Sequence, residues 1–440
     1  MSRKERLQIL LSFSSSRFTI LTYFYQTRLT ALMDNEGLDR DVFGPLVDIS
    51  EQSLVALAIK TSQALGHPSS SGKVIATLGG SYNIVHVVEL EGSPKIVIRV
   101  PATGWGVGLT AEASQSMESY VATVRLLRQK TKFPVPEILA MDTFTANEIG
   151  APYICMAFVP GKSVSKVWFD GTGAVPLEQL RLNILKSVAQ NMAQLSGLSF
   201  NKIGSIIGSE GEQAAIGPCF DWKEIDDGSM GITTSGPFDS TFAYLQEHVV
   251  LESGDSVWGK AETRIMRVVQ DCLASIITEP GFVLILPDFD SQNIMVDNHG
   301  TVTGFIDLDL IQTIPRYVGF CRYPGWITRD WDPLMYAWPK IDSEDSPETL
   351  ERCRIYYNEE LGNALEYKGD WDLTKKSHIL EAMWIASLNR MNRLEICRKL
   401  VHEALDGEVD ATDVLYDIGI DDYEGDQWEK LVSGIKRLIL

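Results

Sequence analysis

The stretch 282–309, FVLILPDFDSQNIMVDNHGTVTGFIDLD, constrains the fold more than any other part of this chain. Its apolar start, 282–286, is too short for a helix and stops at Pro287, so it reads as a buried strand end. Asp288 follows, and Asn293 lies five residues on. Two short apolar strands, 294–296 and 302–306, flank the turn Asp297-Asn298-His299-Gly300, which is a β-hairpin pattern. The second strand delivers Asp307 and Asp309. Closing the hairpin brings Asp288, Asn293 and Asp307 to one end of it. One carboxylate to take a hydroxyl proton, with an amide oxygen and a second carboxylate to hold magnesium, is a donor set suited to phosphoryl transfer. Asp288 fits the first role, Asn293 and Asp307 the second. An acidic hairpin that merely faces water is the plainer alternative, because Asp and Asn are common in turns. The 14-residue step from Asn293 to Asp307, held between apolar strands, weighs against it.

The segment LPDFDSQNIMVD…GFIDLD resembles the aminoglycoside phosphotransferase/choline kinase family of the protein-kinase-like fold, in its fungal branch. That family carries a His-Gly-Asp-x4-Asn loop followed by a hairpin ending in Ile-Asp-Trp. The resemblance implies that Asp288 is the catalytic residue and that Asn293 and Asp307 bind metal. It extends over about residues 73–340. Gly79-Gly80-Ser81-Tyr82-Asn83, between two strand patterns, resembles the family's nucleotide loop. Glycines there let backbone amides approach a phosphate, although a Gly-Gly pair is also an ordinary hairpin turn. Arg99 stands on the next strand, where kinases carry a phosphate-binding lysine, and its guanidinium can grip phosphate in a bidentate way. A solvated strand arginine is the competing reading. The aromatic segment 315–339, with Tyr323-Pro324 and Asp330-Trp331-Asp332-Pro333, matches the same branch.

Several positions depart from the family. In the helix pattern 111–130 the Glu that pairs with the strand cation is replaced by Tyr120. Glu118 lies about 200° round the helix from it and cannot substitute. Leu286 and Pro287 stand where the catalytic loop has His-Gly, and Ala157 replaces the acid before the interlobe hinge.

At 440 residues the chain can bury more than one core. Its 45% apolar and 22% charged residues are ordinary for a globular protein, and a net charge of −20 argues against nucleic acid or an anionic membrane as partner. Six scattered cysteines form no C-x2-C pair, so neither a zinc site nor a disulfide framework is expected. Residues 1–33 carry Arg3, Lys4, Arg6, Arg17 and Arg28 against Glu5 alone, with serines 12 and 14–16, which resembles a mitochondrial presequence. A non-functional extension in a cytoplasmic protein is the other reading. No apolar run there is long enough for a membrane span.

The remaining patterns predict a helix over 51–65 capped by Ser50, a small antiparallel sheet over 73–101, and a helix over 177–198. A loop-rich segment occupies 201–240, and the chain after 347 is mostly helical. The expected architecture is α+β, a two-lobed protein-kinase-like fold. A partly helical extension covers 1–70, a small sheet-based N-lobe 71–160, and a larger, mostly helical C-lobe 161–440. The expected function is ATP- and Mg-dependent transfer of a phosphoryl group to a small-molecule hydroxyl. Gly79, Gly80, Ser81, Asn83 and Arg99 would hold the nucleotide. A pseudokinase scaffold is the alternative, favoured by Tyr120 and Leu286.

Overall fold

The computed structural model describes residues 38–439 except 211–212, 226–227, 250–252 and 277–279. The targeting character read in residues 1–33 therefore lies outside the described residues. Helix α1 (Glu51–Ala64) begins where Ser50 Oγ accepts a hydrogen bond from the Ser53 amide at 3.1 Å. This satisfies one of the amides that a helix start leaves open. Leu54, Leu57 and Ala58 form its buried stripe.

That stripe packs on a five-stranded sheet of β1 (Gly72–Gly79), β2 (Asn83–Leu90), β3 (Ile96–Pro101), β4 (Ile138–Asp142) and β5 (Tyr153–Ala157), in the order β1-β2-β3-β5-β4. All neighbours are antiparallel. Side chains alternate across a strand. Ile96, Ile98 and Val100 of β3 thus join Phe43, Leu46 and the α1 stripe in one core, so the segment before residue 71 shares a core with the sheet. Arg99 points to the opposite face. There lies helix α2 (Ala111–Lys130), started by Thr110, whose Oγ1 accepts from the Ala113 amide at 3.1 Å. Met117, Tyr120, Val124 and Leu127 of α2 sit in a second core with Ile294, Val296 and Phe305 of the hairpin predicted from sequence. The hinge strand β5 and the hairpin thus clamp one apolar layer between them, which fixes where the hairpin's polar end points.

The hairpin forms as expected, with Ile294–Val296 paired antiparallel to Val302–Phe305. Val283–Ile285 pairs with Gln312–Ile314, returning the chain beside the strand that leads into Asp288. Segment 201–240 is more ordered than its loop-rich sequence predicts. It holds two hairpins, Ile206–Glu210 with Gln213–Ile216 and Cys219–Glu224 with Met230–Ser235. Cys219 through Trp222 are buried on both faces, so the two-residue alternation that announces a strand is missing. Phe220, Trp222, Met230 and Ile232 enter the core of the sheet.

Behind the hairpin, helix Leu177–Ala193 packs against Pro347–Ala364. Helices Val257–Ser275, Ser377–Leu388, Arg390–Ala404, Ala411–Gly419 and Asp426–Ile439 share a third core. No single helix among the described residues is long and apolar enough to cross a membrane.

Candidate active site

Asp288, Asn293 and Asp307 converge at the open end of the hairpin. The Ile306 amide donates to the Asn293 carbonyl at 2.9 Å, which closes the 14-residue step. Asn293 Nδ2 donates to Asp288 Oδ2 at 2.6 Å and to its carbonyl at 3.1 Å, and Gln292 Nε2 adds a third contact at 3.0 Å. These bonds fix the Asp288 rotamer and turn the Asn293 amide so that its oxygen faces away from Asp288. Asp288 is 4% exposed, and its Oδ1 is buried without a hydrogen-bond partner among the described residues. Burial, followed by the like charges of Asp290 and Asp307, pushes the Asp288 carboxyl up to about 7, against the pull of Asn293 and Gln292. A carboxyl so placed is suited to exchange a proton near neutral pH. Asp307 has φ +59°, a backbone conformation uncommon for a residue with a side chain.

Arg99 reaches this end from β3. Its NH1 and NH2 donate to the two carboxylate oxygens of Asp309 at 2.7 and 2.6 Å, and NH2 also donates to Asp307 Oδ1 at 2.6 Å. Asn83 Nδ2 donates to Asp309 Oδ2 at 2.7 Å. The Tyr120 ring lies 5.3 Å from the guanidinium carbon of Arg99, within cation–π range. The kinase glutamate whose position Tyr120 occupies both packs against the strand cation and pairs with it. Here Tyr120 does the packing and Asp309, from another element, does the pairing. Asp309 stands two residues after Asp307 in the sequence, but the strand ends at Phe305 and Asp307 has positive φ, so strand alternation does not place it.

The loop before Asp288 is braced in a similarly indirect way. Buried Arg322 donates to the Leu286 carbonyl at 2.5 Å and to the Pro287 carbonyl at 3.3 Å, while its guanidinium is held by Glu381. Arg329 pairs with Asp290, whose carboxylate also accepts from the Ser291 amide at 2.6 Å. The prop that Leu286 cannot supply therefore comes from the aromatic segment after the hairpin. A lone arginine among tyrosines and tryptophans gave no local sign of that role.

Of the predicted nucleotide residues, Asn83 and Arg99 lie in this cluster, both turned onto Asp309. Gly79 and Gly80 are exposed at the end of β1, and Ser81 is half-buried with its Oγ unpartnered among the described residues. Tyr82 stacks on Trp222 with ring centroids 4.4 Å apart and planes 9° from parallel. The hairpin from 219 to 235 thus seats a tryptophan directly on the glycine turn. No group of three or more His, Cys, Asp or Glu side chains among the described residues is arranged to hold a metal ion. Asn293 and Asp307, whose carboxylate Arg99 contacts, would be a two-ligand set. Such a set fits magnesium, which keeps several waters and takes further oxygens from a phosphate, better than it fits metals that need an all-protein cage.

The family model described as the phosphotransferase enzyme family matches residues 79–337, well over half of the chain. A subtelomeric hrmA-associated cluster protein of Aspergillus fumigatus is 26% identical over 163 residues, 36% of this chain and 28% of that protein. A Meyerozyma guilliermondii protein named altered inheritance of mitochondria protein 9, mitochondrial, is 26% identical over 182 residues, 41% of this chain and 29% of its own. The match thus spans less than a third of either relative. Among solved structures, aminoglycoside phosphotransferase APH(4)-Ia aligns with a TM-score of 0.43 at 14% identity, over 88% of this chain and 99% of that one.

Proposed function

This chain belongs to the phosphotransferase enzyme family, and on that premise we propose that it moves the γ-phosphoryl group of ATP to a hydroxyl of a small molecule. The observation that carries the reading is Asp288: a buried carboxylate with one oxygen fixed by Asn293 and Gln292 and the other unpartnered. That unpartnered Oδ1 would accept the proton of the acceptor hydroxyl. The acceptor oxygen forms a bond to the γ-phosphorus while the bond from that phosphorus to the β–γ bridging oxygen breaks, and ADP leaves with the electron pair. Magnesium, held by Asn293 and Asp307, would neutralise phosphate charge in this step.

Arg99, kept in place by Asp309 and stacked on Tyr120, would face the phosphates as a fixed cation. Gly79, Gly80 and Ser81 would lie over them. A Cβ added to Gly80 would meet nothing closer than the Asn83 carbonyl oxygen at 3.5 Å, so the chain's own packing leaves that side open to a ligand. Most of the rate would come from positioning and fixed charge. The sheet-based lobe with α1 and α2, and the helical lobe carrying Asp288, would close on the nucleotide from two sides. The mitochondrial names of relatives such as the Meyerozyma protein, with the Arg- and Ser-rich stretch 1–33, support a mitochondrial location, which import assays with and without 1–33 would decide.

The second reading, a scaffold without transfer, draws on the fact that Arg99 and Asn83 donate to Asp309. The two readings part on Asp288→Asn with γ-labelled ATP and magnesium, following label released to water or passed to an added alcohol. The transfer reading expects turnover to fall roughly 10²–10⁴-fold, the range for losing a catalytic base, with ATP affinity kept. Equal turnover in variant and wild type would remove Asp288 from the role. No turnover in the wild type would leave the scaffold.

A further inference from the structure

Beside the Asp288 loop lies a cleft whose empty space of about 700 Å³ includes open solvent. It shares Asp309, Leu310 and Trp222 with the cleft lined by Arg99 and Asn83. Ile285 and Pro287 come from the strand and loop that lead into Asp288, and Leu310 and Ile314 from the chain just after Asp309. Trp222 closes one wall and Trp384, with Leu388, another. The walls are overwhelmingly apolar.

The charged side chains on the lining are Asp309, Arg322 and Glu381, and each already has an opposite charge against it. Asp309 receives the two guanidinium nitrogens of Arg99, and Arg322 and Glu381 hold each other. The lining therefore offers no uncompensated carboxylate to an ammonium group. A polycationic amino sugar entering here would leave water without gaining ion pairs, which is strongly unfavourable. An apolar ring system would instead gain from leaving water.

The lining also carries polar atoms that need a partner. Gln312 Oε1, Glu381 Oε2 and Trp222 Nε1 are all buried and without a hydrogen bond among the described residues. Two of these accept and one donates, and Gln312 is only 3% exposed. These atoms have almost no accessible surface of their own, so a ligand hydroxyl gains them as partners only where their side chains turn into the cavity. Unpaired buried polar atoms are costly, and that gain favours a hydroxyl-bearing ligand over a bare hydrocarbon.

We propose that the phosphoryl acceptor is an uncharged alcohol or phenol with a mainly apolar, ring-bearing body, bound in this cavity. This rests on the phosphotransferase reading for the transfer step alone; the ligand class rests on the cavity. The acceptor's hydroxyl proton passes to Asp288 Oδ1, its oxygen bonds to the γ-phosphorus, and the products are ADP and a phosphate monoester of the alcohol.

The test is calorimetric titration of the full-length protein with three probes: naphthalene-2-methanol, kanamycin as a polycationic amino sugar, and glucose as a polar neutral polyol. Only naphthalene-2-methanol should bind saturably. Leu388→Asp should weaken it at least tenfold, and Ile385→Asp, on the same helix face, should do likewise. Both positions are half-buried. A ligand-free unfolding midpoint equal to wild type certifies each variant's fold, and the variant that passes decides. Binding of kanamycin or glucose in preference to the naphthyl alcohol would overturn the inference. So would no binding of the naphthyl alcohol, or an affinity unmoved by the added carboxylate. Binding as expected without transfer of label from γ-labelled ATP would instead uphold the ligand class and sink the phosphotransferase reading.

Discussion

The two sides of the loop around Asp288 are built on opposite principles. On one side Arg99, Asn83, Asp307 and Asp309 pack charge against charge, every contact at 2.6 or 2.7 Å. On the other, Trp222, Pro287, Leu310 and Trp384 wall an apolar cavity whose few charges are cancelled. Asp309, Leu310 and Trp222 line both sides. The difference teaches that charge at this loop holds side chains in place, while, on the proposed function, shape and apolar surface would choose the acceptor. Breaking the polar side should therefore cost stability and nucleotide binding together. Breaking the apolar side should cost acceptor binding with smaller effects on the fold.

The largest effect should come from Asp309→Ala, which removes two of the carboxylate contacts of Arg99, a side chain only 7% exposed, and leaves its contact to Asp307. Loss of the sole partner of a buried charge costs about 3–5 kcal/mol, and the retained Asp307 contact sets the effect toward the lower end. The variant's urea midpoint should drop accordingly, and ATP with magnesium should no longer raise it. Wild-type stability in this variant would show that Asp307 and Tyr120 suffice to hold Arg99.

Next in size is a titrating group on an apolar face. His86 of β2 is paired opposite Ile98, keeps one contact to Thr77 Oγ1 at 3.0 Å and leaves Nε2 buried without a partner among the described residues. Burial lowers its pKa to about 4. A depressed folded-state value means that its contribution is complete above the unfolded pKa near 6.5 and is lost as pH falls toward 4. Between pH 7 and pH 5 the wild type should lose about 2 kcal/mol through this group, at 1.36 kcal/mol per pH unit. His86→Val should not, so acidification should shift the stability difference between the two by that amount in the variant's favour. Parallel curves would mean that His86 reaches water in the folded state.

The smallest effect is expected for Trp222→Leu. It removes the stack on Tyr82 but keeps an apolar wall, so the unfolding free energy should fall by about 1 kcal/mol, the scale of an aromatic pair. Affinity for naphthalene-2-methanol should fall by more than affinity for ATP. The reverse order would place Trp222 on the nucleotide side of the loop.

Much of this molecule could be read along the chain because the signals are local. The spacing Asp288-x4-Asn293, the hairpin turn and the stripe of α2 are each set within about 20 residues, and each forms as the pattern predicts. The family was legible from the same motifs. What escaped depends on residues far apart. Asp309 replaces the missing glutamate only because β3, 210 residues earlier, delivers Arg99 to it. Arg322 substitutes for the loop histidine because Glu381, 59 residues on, holds its guanidinium. The hairpin from 219 to 235 was hidden because Cys219–Trp222, buried on both faces, lose the alternation that marks a strand.

The most direct test of the central claim, an assembled magnesium and nucleotide site, is thermal unfolding with ATP alone, magnesium alone, and both. Binding at about 100 times the dissociation constant adds roughly 2.7 kcal/mol to the native state. The account predicts a raised midpoint with both ligands, little change with either alone, and loss of the combined effect in Asp307→Asn. An unchanged midpoint under every condition, or an equal shift with ATP whether or not magnesium is present, would contradict it.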